Sequence, residues 1–495
     1  MKVLTHWVGG GLVEWPVGRS GDVYDPATGE VCMRVAYASA ADVDRSVGLA
    51  TQAWPVWRET SLGRRAEVLF RFRSLMSENK AELAALITAQ HGKVLADAMG
   101  EVERGLEVVD LACGSPLILR GSFSEQVSAN IDVHSVRQPL GVVTVISPFN
   151  FPVMVPMWFA PIAIAAGNAV VLKPSERDPA PANLLAELWS RAGLPPGIFN
   201  VVHGDREAVD ALIEHPAVAA ISFVGSTPVA RHVYEMTAAA GKRVQALGGA
   251  KNHMLVLPDA DLGLAADAAV SAAYGSAGER CMAISVLVAV EPAGDDIISA
   301  IQRRIADIKV GDGRRQVDMG PLITRSHRDR VASYINAGLA VGAELIADGR
   351  DPEIDGAEGG FWLGPTLFDR VTPEMSLYQD EIFGPLLSVV RVDSFDDGLR
   401  LINASPYGNG ASLFTSDGGT ARRFQREVEA GLVGINVPIP VPVAYYSFGG
   451  WKNSLFGDTH AYGPDGFHFF TKGKVVTSRW PDQRDIGVKL NMPVT

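Results

Sequence analysis

Cys281 stands in the stretch AGERCMAIS at 277–285, with Arg280 directly before it. A thiolate attacks carbonyl carbon readily, so this cysteine is a candidate nucleophile; the plainer alternative is a buried, inert thiol. The other two cysteines, Cys32 and Cys113, lie at unrelated spacings. They form neither a disulfide framework nor a CxxC pair, which fits a reducing, cytoplasmic setting. Ten histidines are scattered without HExxH or paired spacing, so no metal site is expected.

Three further motifs carry groups suited to a nucleotide: SPFNFP at 147–152, KPSER at 173–177 and FVGST at 223–227. Glu176 offers a carboxylate to ribose hydroxyls, with Lys173 as a cation beside it. Gly225, Ser226 and Thr227 open a predicted helix, whose free N–H groups and positive dipole end suit a pyrophosphate. Each motif taken singly reads more readily as a turn or a helix cap. Placed at the ends of successive strands, they form a set. The usual dinucleotide fingerprint, GxGxxG following a strand, does not occur.

The elements that must position these groups follow from periodicity. From 40 to 118, apolar residues recur at steps of three and four through SAADVDRSVGLATQAWPVWRE, LGRRAEVLFRFRSLMSENKAELAALITAQHG and VLADAMGEVERGLEVVDLACG, giving amphipathic helices. SFSEQVSANIDVHSVRQPL at 122–140 alternates instead and reads as a hairpin. From 141, the runs VVTVI, VVL, FNVV, AISFV and RVQAL alternate with helical stretches. That rhythm predicts a parallel, doubly wound α/β sheet with ligands at the carboxyl ends of its strands. A second α/β unit runs from HMLVL to GINV, so a cleft between two domains is expected. KGKVVTSRW at 472–480 reads as an exposed strand whose free edge takes a partner, hence a homo-oligomer.

Composition sets the limits. With 495 residues, 47% hydrophobic and 20% charged, the chain fills two or three domains. A net charge of −12 argues against general nucleic-acid or anionic-membrane binding. The most apolar stretch, VMVPMWFAPIAIAAG at 153–167, is short and broken by two prolines, and the start MKVLTHWVGGGLVEW has no signal-type apolar core. A cytoplasmic protein with no membrane partner is expected.

Together with LGGAK at 247–251, GERC at 278–281, EIFGP at 381–385 and SFGGWK at 447–452, these motifs resemble, in order and spacing, the signature set of the NAD(P)-dependent aldehyde dehydrogenase superfamily. The resemblance covers nearly the whole chain. It implies an α/β fold with a Rossmann-type cofactor domain (1–121 and 141–247), an α/β catalytic domain (248–467) and a small oligomerisation β-extension (122–140 and 468–495). It also implies a homotetramer built as a dimer of dimers. By resemblance Cys281 is the nucleophile, and Asn150 is the oxyanion donor beside the Cys281 backbone N–H. Ser147, Phe149, Lys173, Glu176, Arg177, Ser226, Gly248, Glu381 and Phe383 are the cofactor contacts, and the charge of Glu176 favours NAD over NADP by repelling a 2′-phosphate. From the residues themselves, Phe149 and Phe383 read as well as core packing, and Asn150 as a turn residue. Arg280 and a bound nicotinamide are the expected promoters of the thiolate.

Two positions depart from the common pattern. Most hydrolytic members have a glutamate where Ala246 opens ALGGAK, and Pro464 aligns with a second family glutamate. Neither side chain takes a proton, and general-base help is commonly worth about 100-fold to 10,000-fold. A thiol nucleophile needs less help, so coenzyme A is the expected co-substrate. GAKNHM, GERCMA, NVPIPVP and FGDTHAYGPDG resemble the acylating branch that acts on methylmalonate and malonate semialdehydes. That likeness implies oxidation with loss of carbon dioxide and transfer of propionyl or acetyl to coenzyme A. It makes Arg280 and Arg104 the holders of the substrate carboxylate. Spacing by itself reads Arg104 as a helix-surface ion pair with Glu101 or Glu107. The rival readings are a hydrolytic semialdehyde dehydrogenase releasing the free acid, and a catalytically idle binding protein on the same fold.

Overall fold

A computed structural model describes residues 3–481. Residues 1–2 and 482–495, the latter expected to belong to the oligomerisation segment, lie outside the described residues.

Five strands rich in β-branched residues, Val142–Ile146, Ala169–Lys173, Phe199–Val201, Val218–Val224 and Arg243–Leu247, are almost wholly buried. Strands that bury both faces must be covered on both sides, and they pair in parallel as that requires. Their spatial order places Val142–Ile146 in the centre, with Ala169–Lys173 and then Phe199–Val201 to one side. Val218–Val224 and then Arg243–Leu247 lie to the other side. This is the 3-2-1-4-5 order of a dinucleotide-binding sheet, and its direction of winding switches between Val142–Ile146 and Val218–Val224. The Rossmann topology therefore stands without its glycine fingerprint. Short antiparallel strands complete the edges, Trp7–Val8 beside Phe199–Val201 and Leu455–Phe456 beside Arg243–Leu247. Leu455–Phe456 comes from the segment expected to be catalytic, so the boundary at 247/248 is crossed by a returning strand.

The helix Met154–Ala165 is buried along all of its residues, which is why its sequence lacks a polar face. The helical stretch from 62 to 92 is two helices, Leu62–Glu78 and Lys80–His91, separated at Asn79. Gly92, at φ +92°, ends the second of these, and Leu95–Cys113 follows. Within residues 3–37, Val3–Leu4, Glu30–Tyr37 and Arg19–Asp25 form a three-stranded sheet.

The second sheet has seven strands, in the order Glu344–Ala347, Thr366–Asp369, Leu386–Val392, Ile284–Val290, Asn252–Val256, Gly410–Phe414 and Leu432–Ile435. All but the first pair in parallel. Each large sheet organises its own apolar core, and Ile439 packs against both. The expected hairpin is present as Phe123–Ser128 and Ile131–Pro139. The expected late strand, Thr471–Arg479, pairs along the whole of Ile131–Pro139. Among the described residues no helix is long and apolar enough to cross a membrane.

Candidate active site

The two large sheets meet head to tail. The carboxyl end of Arg243–Leu247 runs through Gly248–Lys251 directly into the amino end of Asn252–Val256. Residues just beyond the first sheet's carboxyl ends, Ser147, Glu176, Ser226 and Gly248, therefore face residues just before the second sheet's strands. These are Cys281 before Ile284–Val290 and Glu381 and Phe383 before Leu386–Val392. The carboxyl-end rule holds in the first sheet and reverses in the second.

On the first sheet, Ser147 N donates to the Lys173 carbonyl at 3.1 Å, while its buried hydroxyl has no partner. Lys173 Nζ lies 3.2 Å from Glu176 Oε2. Burial would raise the Glu176 carboxyl, but Lys173, a backbone hydrogen bond and Arg177 hold it below its ordinary value, so it stays ionised. The Arg177 guanidinium covers the Phe149 ring at 4.9 Å, and His91 stacks on the same ring at 5.9 Å. Phe383 meets Phe149 edge-on at 5.9 Å. Both rings thus pack, as the alternative reading held, and they pack against each other across the meeting line of the sheets. Ser226 caps the helix Thr227–Ala239 without a side-chain cap bond, leaving its first N–H groups available. Gly248 N bonds the Ser454 carbonyl at 3.0 Å, and Gly249 N donates to Thr227 Oγ1 at 2.9 Å. Glu381 Oε1 accepts from Ala250 N at 2.9 Å. Burial pushes this carboxyl up to about 7.

The cysteine loop is built from strained backbone. After the helix Leu262–Tyr274, Ser276, Ala277 and Gly278 are all left-handed, at φ +54°, +52° and +73°. A Cβ on Gly278 would run into the Gly384 carbonyl, and Phe383 is itself left-handed at φ +61°. The two loops are pressed backbone to backbone. The Cys281 carbonyl is fixed by Asn252 Nδ2 at 2.9 Å and Asn409 Nδ2 at 3.2 Å. Burial first, then Glu381, pushes the Cys281 thiol up to about 12 against the pull of two backbone N–H groups and Arg280. The resting sulfur is a neutral thiol.

Arg280 lies against Gly275, where any Cβ would strike its guanidinium, and donates to Asp97 Oδ1 at 2.5 Å. Burial opposes ionisation of Asp97, yet Arg280 and Lys93 hold its carboxyl below the ordinary value. Arg104 does form the helix-surface pair, with Glu107 at 2.8 Å and 2.9 Å, and its other arm donates to the Val441 and Pro442 carbonyls. Glu101, the other partner expected for Arg104, is taken by Lys93. Tyr462, whose hydroxyl is raised by burial, donates at 3.4 Å to the Pro442 carbonyl that Arg104 also reaches.

Sequence reading missed the frame that joins these parts. Asp97, Glu101 and Arg104 fall at i, i+4 and i+7 on Leu95–Cys113, one helical face. His91 and Lys93 precede that helix. A stripe of charge looks like a solvated face, but Glu101 and Lys93 are 3% and 1% exposed. Also missed were Glu279, wholly buried and pushed up to about 8, and the neutral histidines His91 and His327, at 3.8 Å and 3.5 Å from its oxygens. The signal for Glu279 was its place inside GERC, between strained backbone and the cysteine.

Asn150 is 4% exposed, its carbonyl is bonded by Lys93, and its side-chain amide has no protein partner among the described residues. Asn150 carries a free amide donor on a fixed loop, Cys281 stands on a strained one, and Glu176 and Glu381 are carboxylates just outside strand ends. A sequence profile of the aldehyde dehydrogenase family matches residues 16–476. The chain belongs to the aldehyde dehydrogenase family. Within that family, the malonate-semialdehyde dehydrogenase of Pseudomonas aeruginosa is 53% identical over 485 residues, 98% of this chain and 97% of the other. That of Halalkalibacterium halodurans is 48% identical, over 96% of this chain and 98% of the other. Among solved structures, a methylmalonate-semialdehyde dehydrogenase from Oceanimonas doudoroffii superposes with a TM-score of 0.96 at 51% identity, covering 98% of this chain and 99% of that one. A Sinorhizobium meliloti structure complexed with NAD has the same TM-score at 48% identity, with the same coverage of both chains.

Proposed function

We propose that this protein oxidises malonate or methylmalonate semialdehyde with NAD and passes the acyl group to coenzyme A with loss of carbon dioxide. Relatives bearing those substrate names, near half identical over almost the full chain, support the substrate class. The pocket supports the cofactor: an unpartnered Ser147 hydroxyl, an ionised Glu176, an uncapped helix start at Ser226 and the Glu381 carboxylate ring one crevice at the winding switch. NAD bound there supplies the hydride acceptor.

The Cys281 thiol gives up its proton to solvent, its thiolate forms the carbon–sulfur bond to the aldehyde carbon, and the carbonyl electron pair moves onto oxygen. Asn150 Nδ2 and the Cys281 N–H receive that oxyanion, a contribution of about 100-fold to 1,000-fold per donor. Departure of hydride re-forms the carbonyl as a Cys281 thioester. The substrate carboxylate lies between Arg280 and Arg104, which sets its distance from the sulfur. It is lost as carbon dioxide, its electron pair being stabilised by the thioester carbonyl and then protonated. The coenzyme A sulfur replaces Cys281, which leaves as thiolate.

The observation that carries the acyl-transfer step is Ala246: wholly buried at the end of its strand, it puts a methyl group where hydrolytic members have a base. Pro464, at the first turn of Gly463–Phe469, supplies none either. A hydrolytic reading is favoured by one feature, Glu381, whose charge reaches Cys281 and whose carboxyl is pushed up to about 7. Product masses from malonate semialdehyde with and without coenzyme A separate the two. Acetyl-coenzyme A with it, and turnover slowed at least about 100-fold without it, is the expected result. Rapid free acid in the absence of coenzyme A overturns it. Three free cysteines and the net charge of −12 support a cytoplasmic enzyme without nucleic-acid partners, and the open edges of the small sheet support a homotetramer.

A further inference from the structure

We infer that Lys93 and Glu101 are positioning residues for Asn150, an inference that rests on the oxyanion role proposed above. The loop 147–153 links the central strand to the buried helix Met154–Ala165 and has no regular ladder to fix it. Lys93 Nζ donates to the Asn150 carbonyl at 2.6 Å and to Glu101 Oε2 at 2.9 Å. Its remaining face lies over the Phe151 ring at 4.4 Å. All three directions of the ammonium are thereby used. Glu101 Oε1 in turn accepts from Val153 N at 2.8 Å and Met154 N at 3.1 Å. Val153 caps that helix without a side-chain bond of its own, so a carboxylate from another helix satisfies the orphan N–H groups and complements the dipole.

The pair is thus buried, charged and fully hydrogen-bonded, and it grips the middle and the carboxyl end of one short loop. Such a pair adds little stability over an apolar replacement, because desolvation offsets attraction. What it fixes here is direction. Turning the Asn150 peptide turns its side-chain amide, and a displacement of about 1 Å at a reacting centre costs about 100-fold. Lys93 is itself set by Gly92, left-handed at φ +92° and pressed against Pro321, where a Cβ would approach to 2.7 Å.

The test removes both charges together, so that neither is left alone in the interior. Lys93→Met/Glu101→Gln keeps an oxygen for Val153 and Met154 but abolishes the bond to Asn150; Lys93→Gln/Glu101→Gln keeps a donor there. Single-turnover NADH formation from malonate semialdehyde is expected to slow about 10-fold to 100-fold in the first pair and to recover to within about threefold of the parent in the second. Alkylation of Cys281 by iodoacetamide stays within about twofold throughout, since the sulfur's own loop is untouched. On an Asn150→Ala background the Met-containing pair costs less than about twofold further. Equal slowing by both pairs, a multiplicative loss on the Asn150→Ala background, or parallel loss of alkylation overturns the positioning role. If Asn150→Ala itself leaves the rate unchanged, the oxyanion reading fails and takes this inference with it. A slow Asn150→Ala enzyme with a multiplicative pair loss sinks the inference alone.

Discussion

Cys281 illustrates how one residue's chemistry is set by what surrounds it. Burial and the nearby Glu381 keep its thiol near about 12, so the free protein at neutral pH holds a protonated sulfur. Below that value the thiolate fraction rises tenfold for each pH unit. Alkylation of the free protein should therefore climb about tenfold per unit between pH 7 and 9, and NAD at pH 7 should accelerate it by placing positive charge beside the sulfur. A rate that is flat over that range sinks the buried-thiol description. Arg280 is no free cation waiting for substrate. It is held by Asp97 and shaped around Gly275, so under the proposed role a substrate carboxylate would have to join an existing pair. The same holds for Arg104 and Glu107.

At the scale of elements, two loops and one helix make the site. The left-handed run at 276–278 and the left-handed Phe383 press together, and glycine at 278 is what allows it. Gly278→Ala meets two penalties: about 1–2 kcal/mol for a left-handed residue with a Cβ, and about 1–3 kcal/mol for forcing the Gly384 carbonyl away. Expected are a lower melting temperature and a loss of activity of at least about 100-fold, because the cysteine loop shifts. A variant of parental activity would show that the close approach is dispensable. The helix Leu95–Cys113 serves as the common frame, with Asp97 holding Arg280, Glu101 holding the Asn150 loop through Lys93, and Arg104 reaching the 441–442 carbonyls.

For the whole molecule, the small sheet of Phe123–Ser128, Ile131–Pro139 and Thr471–Arg479 has, among the described residues, two open edges and exposed apolar side chains, Val475 at 69% and Phe123 at 66%. Arg243 and Arg137 tie it to the body through the His468 and Thr471 carbonyls, so it projects from a fixed base. Edges of this kind pair with another chain unless blocked by charge. If the chain assembles as the proposed tetramer, Val475→Lys should shift the sedimentation pattern toward smaller species while melting remains cooperative. An unchanged tetramer would place the assembly surface elsewhere.

The sequence by itself determined the α/β class and the five parallel strands, because period-2 and period-3.6 patterns are local properties, whereas Cys281, Glu381 and Asn150 were singled out by resemblance of co-linear motifs to a family. Its helical block at 62–92 hid a break at Asn79, since apolar spacing continues across a single irregular residue. Only the tertiary structure decided that two sheets meet head to tail, that the charged stripe of Leu95–Cys113 faces inward, and that Glu279 sits uncharged between two neutral histidines. Those outcomes depend on which surfaces exclude water from a charge, and desolvation is a property of packed neighbours far apart in the chain.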